Sequence, residues 1–372
     1  MRFTIERTAL LKALSHVQSV VERRNTIPIL SNVRIGLSGG QLGFNATDMD
    51  LEIIETAACE GSVDGDTTVA AHTLYEIIRK LPEGAQVEFN TAGDDGRLTL
   101  LAGRSRFTLP FLPVDDFPAM SGGELPHRFS LPAGDLRGLI DRTRFAISTE
   151  ETRYYLNGIY LHGADHDGVD VLRAVATDGH RLASVEVPLP QGAAGMPGII
   201  IPRKTVNEVR KMIDESTDDV EIALSDTKIR FTFGGGVLIS KLIDGTFPDY
   251  ERVIPADNDK VLDVNCKEFS EAVDRVSAIS SEKSRAVKLS LKPSSLTLSA
   301  SSPDNGNAVE ELETSYAAEE LEIGFNSRYL LDVTQQIEGD TARFLMGDAA
   351  SPTVIREVGD ASATYVLMPM RV

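Results

Sequence analysis

The chain has 372 residues, 42% of them apolar, which suits two or three packed domains and excludes a disordered protein. Its 37 Lys and Arg against 56 Asp and Glu give −19, and that balance as a whole argues against a phosphate-coating surface. Two distant cysteines, Cys59 and Cys266, offer neither a disulfide framework nor zinc spacing, and no run is long and apolar enough for a membrane span; a reducing cytoplasm is the expected compartment.

In chain order, a short strand and then a helix begin at Phe3 ("FTIERTALLKALSHVQSVV"), with no secretory leader pattern before them. The same pattern returns at Phe129 ("FSLPAGDLRGLIDRTRFAI") and Leu262 ("LDVNCKEFSEAVDRVSAIS"). Apolar residues fall at helical spacing in each: Leu10, Leu14, Val17, Val21; Leu136, Leu139, Ile140, Ile147; Phe269, Val273, Val276, Ile279. A second helix recurs over 71–81, 203–213 and 327–337. Each copy leads into short β-branched runs separated by Gly and Asp, which read as hairpins. Two copies leave through similar tails, "LPVDDFPAM" and "LIDGTFPDY", closed by Pro118 and Pro248. The period is a third of the chain, so the repeating unit is a whole domain. The expected class is α+β, with domains over 1–127, 128–257 and 258–372.

The stretch "ATDGHRLASVEV" places Asp178, His180 and Arg181 within four positions and invites a catalytic reading. Its counterpart in the first copy is "NATDMDLEIIET", with Asp48 at the place of Asp178, and in the third "SASSPDNGNAVEEL". The polar turn recurs and the His-Arg pair does not. Asp178 is therefore expected to build a turn between strands, and His180 and Arg181 to serve something particular to the middle copy.

Formal charge summed over the six predicted helices is +6, which leaves −25 on the rest of a chain totalling −19. Helical surfaces favour Lys and Arg by propensity alone. The same pattern also suits a protein whose helices form one cationic face for a polyanion within an acidic shell. No zinc finger, aromatic nucleic-acid strand or arginine run is visible, so contact would be with phosphates and would carry no sequence preference.

The strings "MRFTIERTALLKAL", "RNTIPILSNV", "RSRFTLPFLPVDDFP", "RYYLNGIYL", "ATDGHRLA", "KLIDGTFPDYERVIP", "GFNSRYLLDV" and "YVLMPMRV", in this order over the whole chain, closely resemble the bacterial DNA polymerase III β subunits, the sliding clamps. The resemblance implies three tandem clamp domains, each with two inner helices and outer antiparallel sheets. It implies a non-catalytic processivity subunit, a head-to-tail homodimer closed around double-stranded DNA, with no cofactor and no metal. Phe107, Ala278 and Ile279 fall where the family packs its dimer boundary. The implied DNA-contacting positions are Arg24, His72, Glu150, Tyr154 and Tyr155, of which Glu150 would repel a phosphate.

Implied partners are the polymerase III α subunit, the clamp loader δ subunit, and other polymerases and repair proteins, which dock through short, partly apolar motifs. The matching groove positions in the middle copy are Leu156, Thr177, Gly179, His180, Arg181 and Leu182. In the exit segment they are Pro248, Arg252 and Val253. In the third copy they are Asn326, Tyr329 and Ala350, followed by Val366, Leu367, Met368, Pro369, Met370 and Arg371. The apolar tail agrees with this: Met368 and Met370 pack adaptably, and Pro369 keeps the segment extended.

Other motifs carry less. "FGGG" at 233–236 lacks a following Gly-Lys-Ser/Thr and reads as a hairpin turn; "GDDG" at 93–96 is another turn. "HGADHDGVD", with His162 and His166, lacks calcium-loop offsets and reads as a solvated turn. Two rival readings remain: a hydrolase or metal-dependent enzyme centred on Asp178, His180 and nearby carboxylates, which would show turnover or a metal requirement, and an acidic scaffold, which is not retained on DNA.

Overall fold

The computed structural model describes residues 1–91, 96–120, 123–213, 218–280 and 285–372. Most of the expected "GDDG" turn lies outside these residues. The first copy comprises β1 (Arg2–Glu6), α1 (Arg7–Val20), β2 (Asn32–Ser38), β3 (Gln41–Thr47), β4 (Leu51–Ala58), β5 (Glu60–Val63), β6 (Gly65–Ala70), α2 (Ala71–Lys80), β7 (Gln86–Asn90), β8 (Arg97–Ala102) and β9 (Ser105–Pro110). The second comprises β10 (His127–Leu131), α3 (Ala133–Asp141), β11 (Gly158–His166), β12 (Val169–Thr177), β13 (Arg181–Pro188), β14 (Ile199–Pro202), α4 (Arg203–Ile213), β15 (Val220–Leu224), β16 (Lys228–Thr232) and β17 (Gly236–Lys241). The third comprises β18 (Lys260–Asn265), α5 (Cys266–Ser277), β19 (Ala286–Lys292), β20 (Ser295–Ser302), β21 (Gly306–Glu313), β22 (Ser315–Tyr316), β23 (Leu321–Asn326), α6 (Ser327–Thr334), β24 (Thr341–Met346), β25 (Thr353–Glu357) and β26 (Asp360–Leu367). The strand-and-helix order thus repeats three times.

Local chemistry sets the helix ends. The Glu6 carboxylate accepts from the amides of Thr8 and Ala9 and starts α1; Asn265 and Asn326 do the same for α5 and α6. The periodicity predicts a helix over 133–145, but α3 stops at Asp141. The Thr143 hydroxyl donates to the Leu139 carbonyl at 2.5 Å, the backbone leaves helical angles there, and Arg144–Ala146 form a separate 3-10 turn. The expected apolar stripe of α1 is buried, with Leu10, Leu14 and Val17 at 0% exposure.

The described residues form two compact units. The first holds 1–137, 190–197 and 204–242; the second holds 138–189, 198–203 and 243–372. In the first unit one sheet runs β5-β1-β7-β8-β9, and a second runs β10-β15-β16-β17-β4-β3-β2-β6. The second sheet joins two sequence copies through the antiparallel pair β4–β17, in which Ile53 faces Leu238. Helix α1 packs on α2. Buried Glu55 meets His16 at 2.7 Å, and half-buried Lys204 reaches Asp48 at 2.6 Å and the Val20 carbonyl at 3.0 Å.

In the second unit one sheet runs β14-β11-β12-β13-β26-β25-β24-β18-β22 and the other runs β21-β20-β19-β23. Here the copies join through β13–β26, in which Ala183 faces Tyr365. Helix α5 packs on α6. The "HGADHDGVD" stretch is the β11–β12 hairpin; Asp167 and Gly168 occupy its positive-φ turn at 53° and 83°. "FGGG" is likewise a hairpin, closed by Phe233 N–H donating to the Gly236 carbonyl.

Candidate functional site

The site grows from the turn that first suggested catalysis. Asp178 Oδ1 accepts from the amides of His180 (2.9 Å) and Arg181 (3.0 Å), and the Thr177 hydroxyl accepts from Gly179 N–H. Asp48 Oδ1 accepts from Asp50 and Leu51 in the same way, and the Thr47 hydroxyl from Met49. The third copy keeps the hydroxyl alone: Ser302 accepts from Asn305 N–H at 3.4 Å. Both oxygens of Asp178 are engaged, since Oδ2 also takes the Arg181 guanidinium at 3.1 Å. Asp178 is a turn residue. Among the described residues no group of three or more His, Cys, Asp or Glu is placed to hold a metal ion.

What the middle copy adds is Arg181. Its side chain is 9% exposed and held on three sides: Asp178, Asp332 and the Phe145 carbonyl accept from it, and the Tyr329 ring lies 4.3 Å from its central carbon. The His180 ring stacks over Tyr329 at 6.5 Å. Together they form a wall between two concavities. One is a polar cavity of about 520 Å³, into which Arg144, Arg203, Arg328, Glu150 and Asp332 face. The other is an apolar groove of about 370 Å³.

The groove's floor is the outer side of a core cluster containing Leu156, Leu182, Phe247, Tyr250 and Val366. Its rim is built from Thr177, Gly179, His180, Pro248, Val253 and Met368. An apolar trough with a few fixed polar groups suits a short peptide. Gly179 is required: its φ is 88°, and a Cβ there would sit 2.7 Å from Arg153 Nη1.

A polar network anchors the floor from below. Tyr250 Oη meets Arg173 Nη1 and His162 Nε2, both at 3.0 Å, and Arg173 also reaches Glu186. Burial holds the His162 imidazole below its ordinary pKa, aided by Arg173. As pH falls through about 6.5, the unfolded chain therefore takes up a proton that the folded His162 resists, and stability is lost on the acid side. A His162→Gln protein is expected to lose less melting temperature between pH 7 and pH 5 than the parent. Equal losses in parallel thermal scans would show that His162 does not contribute.

Three family models match in tandem: the N-terminal domain of the DNA polymerase III β subunit over residues 1–121, its central domain over 130–249 and its C-terminal domain over 251–371. The beta sliding clamp of Caulobacter vibrioides is 56% identical across all of both chains, and that of Escherichia coli K12 is 37% identical, again across all of both. Among solved structures, the Caulobacter crescentus clamp superposes with a TM-score of 0.98 at 56% identity, covering all of this chain and 99% of that one. The Bartonella birtlesii clamp superposes at 0.97 and 51%, covering all of both chains.

The chain belongs to the DNA polymerase III β subunit family, the bacterial sliding clamps.

As a sliding clamp it is a non-catalytic replication protein, with three tandem clamp domains. No described helix is long and apolar enough to cross a membrane. Of the groove positions expected from clamp resemblance, Leu156, Thr177, Gly179, His180, Arg181 and Leu182 line the trough together, as do Pro248, Val253, Val366 and Met368. Others do different work. Tyr329 lines the polar cavity, Asn326 caps α6, and Leu367 is 1% exposed within the sheet. Arg252 is 84% exposed and pairs with Asp249 at 2.6 Å, and Ala350 sits in a turn held by Asp348. Met370 bonds β23, and Pro369 and Arg371 flank it outside the trough's lining. Arg153, Tyr155, Asp249 and Tyr250 line the groove without having been singled out for it. "RYYL" and "FPDYERV" were legible as clamp motifs, but their inward faces are set by 3-10 turns that carry no clear period.

The positions that clamp resemblance assigned to DNA fall two in the first unit, Arg24 and His72, and three in the second, Glu150, Tyr154 and Tyr155. Arg24 is exposed in the turn after α1. His72 ties α2 to the end of α1, with its ring nitrogens 2.9 Å from Gln18 Oε1 and the Val21 carbonyl. Glu150 pairs with Arg153 through both oxygens at 2.8 Å. Tyr154 is 52% exposed, and its ring meets Tyr155 edge-on at 5.8 Å. Of the dimer positions, Phe107 lies half-buried on β9, while Ala278 and Ile279 form the turn after α5, where Asn305 donates to the Ile279 carbonyl.

Proposed function

We propose that two copies of this chain close head to tail into a ring around duplex DNA, slide without sequence preference, and tether polymerases and other DNA-processing proteins through the apolar groove. The observation that carries the closure is the strand bookkeeping. Each copy joins the next by pairing its third large-sheet strand with the next copy's last strand: β4 with β17, then β13 with β26. Repeating the operation leaves β21 and β9, both sheet edges without a paired neighbour among the described residues.

The register carries over as well. Ile53 faces Leu238 and Ala183 faces Tyr365, so the equivalent pair across the two copies is Ala308 with Phe107. The same register sets Arg104 opposite Glu311, and puts Arg106 diagonal to it, a cationic edge against an anionic one. Arg24, Tyr154 and Tyr155 then belong to DNA contact, with phosphates met weakly enough to permit sliding.

For the groove, support comes from relatives. The C. crescentus clamp was solved with polyethylene glycol bound in a region proposed for β-motif tethering, and the B. birtlesii clamp with griselimycin. The partners here are the polymerase III α subunit, the loader δ subunit and repair proteins bearing short apolar motifs, acting in the cytoplasm. The test uses a nicked circular duplex, clamp loader and ATP. Gel filtration in high salt is expected to leave the protein on the circle, and protein eluting free of the circle would refute the ring.

A further inference from the structure

The segment after β26 leaves the large sheet and crosses to the small one. Met368 N–H donates to the His180 carbonyl at 2.9 Å, beside the groove, and Met370 N–H donates to the Gly324 carbonyl on β23 at 2.8 Å. Pro369 between them has no donor. The segment is therefore held at two points, with the groove-lining Met368 at the first.

The other copies show what is particular about the second point. Their exit segments return to the equivalent strand position: Leu112 N–H donates to the Thr68 hydroxyl at 3.1 Å, and Ile243 N–H to the Ile200 carbonyl at 3.0 Å. Thr68 and Ile200 carry side chains there, packed at 0% and 2% exposure. The third copy has Gly324. A Cβ on Gly324 would stand 2.3 Å from Val372 Cγ1 and 2.8 Å from the Met370 carbonyl oxygen. The volume a side chain fills in the other two copies is here given to residues 370–372.

We propose that Gly324 is a positioning residue for partner binding: by leaving room for Val372 and the Met370 carbonyl, it fixes the path of residues 368–372 and so the place of Met368 on the groove wall. This rests on the groove being the peptide site. Substituting Gly324→Ala forces the Met370 backbone away, because that carbonyl cannot yield as a side-chain tip would. Gly324 and Met370 contribute nothing to the trough's own lining, so a loss of affinity from either reports on position.

The test measures binding of a fluorescein-labelled hexapeptide with adjacent Leu and Phe residues to the full-length protein by fluorescence anisotropy. Gly324→Ala is expected to weaken binding about tenfold, with dimerisation unchanged and faster amide exchange at Met370. Met370→Pro deletes the second tether without touching β23 and covers the case in which Gly324→Ala fails to fold; it is expected to give the same loss. Parental affinity in Gly324→Ala or Met370→Pro overturns the inference. Met368→Ala separates the two ideas: if it binds the hexapeptide as the parent does, the groove reading itself fails.

Discussion

Deleting residues 368–372 is expected to weaken binding of short apolar partner peptides at least ~100-fold, about 2.7 kcal/mol, while leaving the dimer intact. The deletion removes Met368 from the groove wall together with the tether that crosses from the His180 carbonyl to Gly324. What remains is a floor of Leu156, Leu182 and Val366 open on one side, which no longer excludes water around an apolar side chain. Neither free edge strand contains a deleted residue, so association of the copies should not change. Anisotropy with a labelled peptide and sedimentation of the same preparation check both halves. Unchanged affinity would remove the groove from the account.

The second large effect is expected at the free edges. Phe107 is half-buried on β9, and the repeat register sets it against Ala308 on β21 of a second chain. Phe107→Asp replaces that apolar contact with a carboxylate on the face of the edge that already carries Glu310. The dimer dissociation constant is expected to rise at least ~100-fold, since a desolvated charge without a partner costs several kcal/mol. Sedimentation should find a folded monomer, with circular dichroism unchanged. A dimer of parental affinity would refute the edge-to-edge closure.

The threefold repeat was legible because helix stripes and turn residues recur at fixed offsets. The same comparison removed Asp178 from suspicion as a catalyst, because Asp48 makes the same turn without a His-Arg pair. Arg181 could be singled out as extra, but its function as a wall needed Phe145, Tyr329 and Asp332, which meet it only through long-range folding. Propensity could not show that Thr143 would end α3 early. Net helix charge was a blunt guide: Lys204, Lys211, Arg79 and Arg275 pair with nearby acids, whereas Arg24 lies exposed. His72, a DNA-contact position by clamp resemblance, is a clasp between two helices in the fold. Strand edges were the least visible feature, since which strands lack neighbours follows from the complete pairing order.

The central claim is that the protein stays on DNA by enclosure. The most direct measurement loads it onto a nicked circular duplex, isolates the complex in high salt, and cuts the circle once. Enclosure predicts retention before the cut and release from the linear product within the time of sliding to an end. Continued retention on the linear duplex would mean that ordinary affinity holds the protein there, and would contradict the ring.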